Sequence, residues 1–197
     1  MVLDPSHPEQ GRLRMVMGYA ISAILVIIVI IVIWAFNRLV AARQLVNNGW
    51  SDIEVQLKRR TDLIPQIVET VKAYAKHEKE LFAEVIERRN TALGAGDLST
   101  RSVAEGAIRK PLGRVMALAE DYPDLKTNQN FLDLQDELSD TENKIEYARR
   151  FYNGAVREKN TLVQSFPINL LAGLFGFRTR EYFEMDEAPD LPATDFS

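Results

Sequence analysis

Residues 131–166, FLDLQDELSDTENKIEYARRFYNGAVREKNTLVQSF, form an unbroken run with no proline and one glycine, Gly154. Alternating steps of three and four pick out Phe131, Leu134, Leu138, Thr141, Ile145, Ala148, Tyr152, Ala155, Lys159, Leu162 and Phe166. The mean step of about three and a half residues is the spacing of a helix packed lengthwise against another helix. The run therefore predicts one long helix, ended by Pro167, which cannot continue it. Within it, TENKI (141–145) and ARRFYN (148–153) crowd apolar, amide and paired cationic side chains together. Such a mixture builds a surface for a partner, and no chemistry is visible in it.

The same spacing recurs upstream in Leu39, Val46, Trp50, Ile53, Leu57, Ile64, Ile67, Val71, Tyr74, Leu81 and Val85, with Arg43, Arg60 and Glu78 in the gaps. Pairs at four-residue spacing, Glu54 with Lys58 and Glu84 with Arg88, would support its exposed side. Pro65 removes a backbone donor and crowds the preceding turn, which predicts a kink or break near Leu63–Ile64, with Asp62 capping the restarted helix. Gly94-Ala95-Gly96-Asp97 closes this first long element, and Ser99 or Thr100 can cap the next. From Arg101 to Glu120 the pattern is helical, with Glu105 paired to Arg109, but Gly106, Pro111 and Gly113 argue against one straight rod. Tyr122-Pro123-Asp124 reads as a turn. The apolar stretch from Phe166 to Phe177 is too short to span a membrane, leaving a buried short helix or an interfacial segment. No strand alternation of convincing length occurs.

Residues 16–36, VMGYAISAILVIIVIIVIWAF, carry no charge. About twenty apolar residues suffice to cross a hydrocarbon core of roughly 30 Å, and Tyr19 and Trp34 suit the two interfaces. A cleaved signal would be shorter and followed by a small-x-small site, so this is a single-pass anchor. Arg12 and Arg14 on one flank balance Arg38 and Arg43 on the other, and charge bias assigns the bundle to neither side. The expected organisation is a disordered arm (1–15), the transmembrane helix (16–36), a helical bundle (37–184) and a flexible acidic tail (185–197). The fold class is all-α: one N-terminal transmembrane helix, then an antiparallel up-and-down bundle of about four helices, two of them long.

Catalytic chemistry finds few residues to use. The chain has two histidines and no cysteine. His77-Glu78-Lys79-Glu80 lacks the second histidine of a zinc-protease helix, since Leu81 stands there, and His77 reads as a solvated residue on a helix. Ser51, Ser99 and Ser165 have no histidine base in sequence. Asp133, Asp136, Glu137 and Asp140 lack the glutamate–histidine spacing of a carboxylate-bridged metal bundle. Gly94-Ala95-Gly96 lacks the lysine and further glycines of a phosphate cradle. No catalytic residue, cofactor or metal is implied, and the mixed charges, net −4, offer no basic face for nucleic acid.

Two polar constellations stand out. One contains Trp50, Asp52, Arg59, Arg60 and Asp62; the other contains Asn143, Arg149, Arg150, Tyr152, Asn153 and Asn160. Arg149 and Arg150 can both reach Glu146 within the helix. Two roles stay open for these groups: cross-helix pins that set the register of the bundle, and contacts for a partner.

These residues resemble the LemA family of bacterial membrane-anchored helical proteins. The resemblance rests on WSDI (50–53), QLKRR (56–60), DLIP (62–65) and VETVK (68–72), then YPDLK (122–126), Asn130-Phe131, Leu134-Gln135 and Glu137-Leu138. It continues through TENKI, ARRFYN, Asn160-Thr161 and FPINL (166–170), in family order from the span to Glu184. Gly49, Gln66, Ala73 and Lys159 depart from the usual family residues. The resemblance implies the same fold, a single pass through the bacterial plasma (inner) membrane, and no established catalytic residues.

The leading functional expectation is a non-enzymatic scaffold or adaptor of the bacterial envelope. It would present the Arg59-Arg60-Asp62 region and the Arg149–Asn153 region to another envelope protein or to a second copy. The family's setting suggests membrane proteases or quality-control machinery as partners. The alternative is a ligand-sensing or hydrolytic domain with its site between helices, around Asn143, Arg149 and Tyr152.

Overall fold

The computed structural model describes residues 7–183, with side chains from Arg12 onward. The acidic tail from Met185 and the first six residues of the arm lie outside the described residues. Six helices and no strand occur among the described residues: α1 (His7–Lys72), α2 (Lys79–Gly94), α3 (Leu98–Ala119), α4 (Pro123–Lys126), α5 (Gln129–Gln164) and α6 (Ile168–Leu174). The helix α1 already begins at His7, inside the segment read as an arm. The chain divides into two compact units, Met1–Gln44 with Arg157–Arg180, and Leu45–Val156 with Glu181–Ser197.

The first unit contains the apolar run, the one helix among the described residues long and apolar enough to cross a membrane, with a mean hydropathy of 3.1. Its side chains face outward, and the Ser22 hydroxyl donates back to the Gly18 and Tyr19 carbonyls, so that donor is satisfied within the helix. At the far end of the run Ala35 and Leu39 are buried with Ile168 and Ala172 of α6 and with Phe177. Asn160 holds the backbone of Arg180 with both ends of its amide, at 2.8 Å each. Lys159 is buried and donates to the Arg178 carbonyl. Burial, with Arg180 and Arg43 nearby, pulls the Lys159 pKa below its ordinary value.

The second unit is the bundle. Contacts between α1 and α5 run in opposite chain directions: Trp50 lies against Tyr152, Arg60 against Glu142, Thr70 against Asn130 and Tyr74 against Asn128. Antiparallel packing puts the two apolar seams face to face. Of the α5 seam in this unit, Phe131, Leu134, Leu138, Thr141, Ile145, Tyr152 and Ala155 are buried, as are Val46, Ile53, Leu57, Ile64, Ile67 and Val71 of α1. Helices α2 and α3 close the core from the side through Leu81, Phe82, Val85, Ile108, Leu112 and Val115.

Several local expectations are corrected. The first long element does not run on to Gly94. It ends at Lys72, and residues 73–78 form a turn that carries His77, exposed and off any helix. That turn contains neither glycine nor proline. It is held by tertiary contacts: Ala75 is fully buried, and Asn128 Nδ2 donates to Tyr74 Oη at 3.2 Å. Nor does α1 break at Pro65; the helix continues through it. Asp62 is interior to the helix and pairs with Lys58 at 2.9 Å, so it caps nothing. The cap of α3 is Asp97 rather than Ser99 or Thr100. Its Oδ1 accepts from Thr100 N at 2.8 Å, and the Thr100 hydroxyl oxygen accepts in turn from the Asp97 N–H. Those bonds from Thr100 hold the Asp97 carboxyl below the usual range. Helix α3 passes through Pro111, and Pro123 opens the single turn α4.

Ion pairs read at four-residue spacing are also redistributed. Glu84 meets Arg114 at 3.1 Å rather than Arg88, and Glu105 meets Arg60 rather than Arg109. Cross-helix partners are brought close by packing, which local spacing does not report.

Candidate functional site

Of the polar residues singled out in the sequence, Asn160 belongs to the first unit, and the others lie in the bundle unit, on α1 and α5 where these run side by side. Gly49 allows the close approach. A Cβ there would stand 3.1 Å from Tyr152 Cα and 3.0 Å from the Phe151 ring, tighter than ordinary contact. Trp50, one residue on, stacks obliquely on Tyr152 at 5.9 Å between ring centroids and on Phe183 at 6.1 Å.

Beneath this face lies a layer of buried polar groups. Arg60 is buried against the Glu105 carboxylate of α3 and donates to Glu142 of α5 at 2.9 Å. Burial pulls its pKa down, but Glu142 and then Glu105 outweigh this and hold it above the ordinary arginine value. One guanidinium thus ties three helices together. Arg149 is buried as well, with 8% of its surface exposed, yet it makes no ion pair among the described residues. Its guanidinium lies 4.9 Å over the Phe183 ring, and its Nε has no hydrogen-bond partner. Burial, with Arg109 and Arg60 nearby, pushes its pKa down to about 10. Of the two arginines expected to reach Glu146, only Arg150 does so.

The C-terminal segment completes the layer. Asn153 donates from Nδ2 to the Phe183 carbonyl at 3.2 Å and accepts the Phe183 N–H at 2.9 Å. Tyr152 is fully buried, and its hydroxyl donates to the Glu181 carbonyl at 3.0 Å. An amide side chain facing one residue's N–H and C=O meets both, as a neighbouring strand would.

Exposed above this layer are Asp52, Arg59, Asp62, Asn143 and Arg150. Arg59 makes a two-pronged contact with Glu137 of α5, 3.1 Å from Nε and 2.9 Å from Nη2. A cleft of about 320 Å³ opens between the helices, lined by Asp52, Gln56, Lys144, Tyr147, Ala148 and Phe151. Tyr147 is 67% exposed and Phe151 46%. The Gln56 Oε1 is buried without a donor. Of the cleft residues, the sequence marks Asp52 as a candidate contact and places Lys144, Ala148 and Phe151 within the two blocks read as a partner surface, while Gln56 and Tyr147 carry no functional reading there. The available signal was Tyr147 and Phe151, large rings four apart and off the buried seam, hence on one outward face.

Leu57, Arg60, Glu105, Arg109, Ile145, Arg149 and Phe183 line a cavity of about 20 Å³. Among the described residues no group of three or more histidine, aspartate or glutamate side chains is placed to hold a metal ion.

Comparison with known proteins agrees with the residues and the helices. Magnetosome protein MamQ of Magnetospirillum gryphiswaldense is 24% identical over 218 residues, which cover 97% of this chain and 80% of the relative. Magnetosome protein MamQ 2 of Paramagnetospirillum magneticum is 23% identical, covering 95% and 78%. Protein LemA of Metamycoplasma hominis is 27% identical over 69% of this chain and 63% of its own length. The family model described as the LemA family matches residues 49–196, most of the chain. With its apolar helix and its helical bundle, this membrane-associated chain belongs to the LemA family.

Proposed function

We propose that the protein is a non-enzymatic scaffold or adaptor of the bacterial inner membrane, with residues 16–36 as its anchor and 37–184 as a bundle that binds other proteins. The observation that carries this reading is the cleft between α1 and α5, with Tyr147 and Phe151 at its mouth. Exposed aromatic rings around a concave surface, with a few polar groups at the rim, suit the central contact of a protein interface. Gln56 Oε1 offers a buried acceptor there, and Asp52 and Lys144 place opposite charges around the cleft. Arg59, Asp62, Asn143 and Arg150 would form the outer contact. Trp50, Arg60, Arg149, Tyr152 and Asn153 would hold its shape from below.

The relatives are named for a structure, the magnetosome, rather than for a reaction, which supports a role in assembly. The partner would be another envelope protein, such as a membrane protease or a quality-control component, or a second copy. The alternative, a ligand-sensing or hydrolytic site near Arg149, would have to use a cavity of about 20 Å³, room for roughly one water.

A photo-activated crosslinker at Tyr147, in the full chain at native expression, tests the proposal. The expected result is one reproducible adduct that disappears with Phe151→Asp while the helical signal is retained. A monomer with no reproducible neighbour, by crosslinking and in mild detergent, overturns it.

A further inference from the structure

The short helix α6 divides sharply by face. Ile168 and Ala172, four residues apart, are buried with Ala35, Leu39 and Phe177. Leu170 and Leu174, also four apart, are 65% and 76% exposed, and Phe166 just before the helix is 80% exposed. Three large apolar side chains this exposed and this close together form a patch of the kind a soluble surface avoids. The patch has a neighbour. Phe36, the last residue of the uncharged run, lies edge-on to the Phe175 ring at 5.0 Å and to the Phe177 ring at 5.9 Å. Ala35 and Leu39, which flank it, form the floor on which α6 sits. The exposed side of α6 therefore adjoins the end of the anchor's outward-facing apolar surface.

We infer that α6 lies in the headgroup–acyl boundary of the leaflet in which the anchor ends, giving the protein a second, interfacial lipid contact. Seven residues make a helix of about 10 Å, against a core of roughly 30 Å, so α6 can only lie along the boundary. Charge agrees with this. Residues 37–44 and 157–180 expose Arg38, Arg43, Arg157, Arg178 and Arg180, and carry one carboxylate, Glu158, which pairs with Arg38 at 3.4 Å. Apolar side chains flanked by arginines match the boundary, where phosphates border the acyl chains. A second copy of the chain could also cover the apolar patch, and it is the outcome that the labels below separate from lipid.

The absence of native cysteine makes the test direct. The full chain, with Phe166→Cys, Leu170→Cys or Leu174→Cys carrying an environment-sensitive fluorophore, is reconstituted in phosphatidylcholine–phosphatidylglycerol vesicles. Asp136→Cys serves as the aqueous control and Ile24→Cys as the deep one. At all three α6 positions the emission shifts to the blue. Quenching is several-fold stronger by a nitroxide near the headgroup than by one at the chain ends, with Ile24→Cys showing the reverse order. Labels quenched by aqueous iodide as freely as Asp136→Cys overturn the inference. So do labels shielded from both iodide and lipid nitroxides, which would mean that protein covers the face. Reading three positions in parallel keeps the answer independent of any one label that disturbs packing.

Discussion

Arg89 of α2 donates its Nε–H to the carbonyl of Thr61 at 2.8 Å. That carbonyl is the one whose helical donor would be residue 65, and residue 65 is proline. The side chain of one helix thus replaces the backbone bond missing from another, and α1 runs on unbroken. Arg89→Ala is expected to cost about 1.5–3 kcal/mol, the range for a hydrogen bond to a charged group. In a Pro65→Ala background, where the backbone supplies the donor again, the same change should cost much less. Thermal or urea unfolding in mild detergent, arranged as a double-mutant cycle, reads the difference.

Arg60 and Glu105 are both buried. Arg60→Met would strand the Glu105 carboxylate and is expected to destabilise by about 3–5 kcal/mol, since a buried charge loses its partner. Replacing both, Arg60→Met with Glu105→Met, should recover most of that loss by restoring an apolar interior. Two equally damaged single variants and an equally damaged double variant would show that the pair matters through shape alone.

Arg149 carries the opposite sign. Its pKa falls from the ordinary arginine value to about 10 in the folded chain, so the unfolded chain binds more protons between those two values. Stability from this group therefore rises with pH across that window, and the penalty is fully present below it. Arg149→Met, which keeps a side chain over Phe183, is expected to be more stable than the parent at neutral pH, by about 1–3 kcal/mol. The gain should shrink as the pH passes 10. Unfolding curves of parent and variant at neutral and alkaline pH check both statements.

Asn153 makes two hydrogen bonds to the backbone of Phe183. Asn153→Asp keeps the acceptor and loses the donor, leaving the Phe183 carbonyl facing a carboxylate. Asn153→Ala loses both bonds. Each should release the 181–183 segment before the bundle melts, with Trp50 fluorescence shifting to the red as Phe183 leaves it. The expected cost is about 1–3 kcal/mol for Ala, read as faster amide exchange at Phe183.

The seam was legible in the sequence because apolar spacing is a local property: Leu57, Ile64, Ile145 and Tyr152 are buried where their period puts them. The end of α1 was not legible, because the turn after Lys72 depends on burying Ala75 and on a bond from Asn128. Pro65 pointed the wrong way for the same reason. Its compensation comes from Arg89, distant in sequence. Within the candidate site, spacing marked Arg60 and Arg149 as unusual but could not separate them. One meets two carboxylates from other helices, and the other meets an aromatic ring far along the chain. The cleft itself was not legible, because Asp52 and Gln56 come beside Lys144, Tyr147 and Phe151 only when α1 and α5 pack, and Tyr147 belongs to no seam.

Phe183 follows every described helix in chain order, yet it covers Trp50 and Arg149 and fills the amide of Asn153. During synthesis the helices of the bundle unit can therefore assemble before the residue that seals them has been added. A chain interrupted beyond Leu174 would keep its helices but expose an indole, an uncompensated guanidinium and an open amide on one face. The seal makes the arrival of residue 183 visible at the surface, so that copies with and without it differ in what a protease or chaperone can grip.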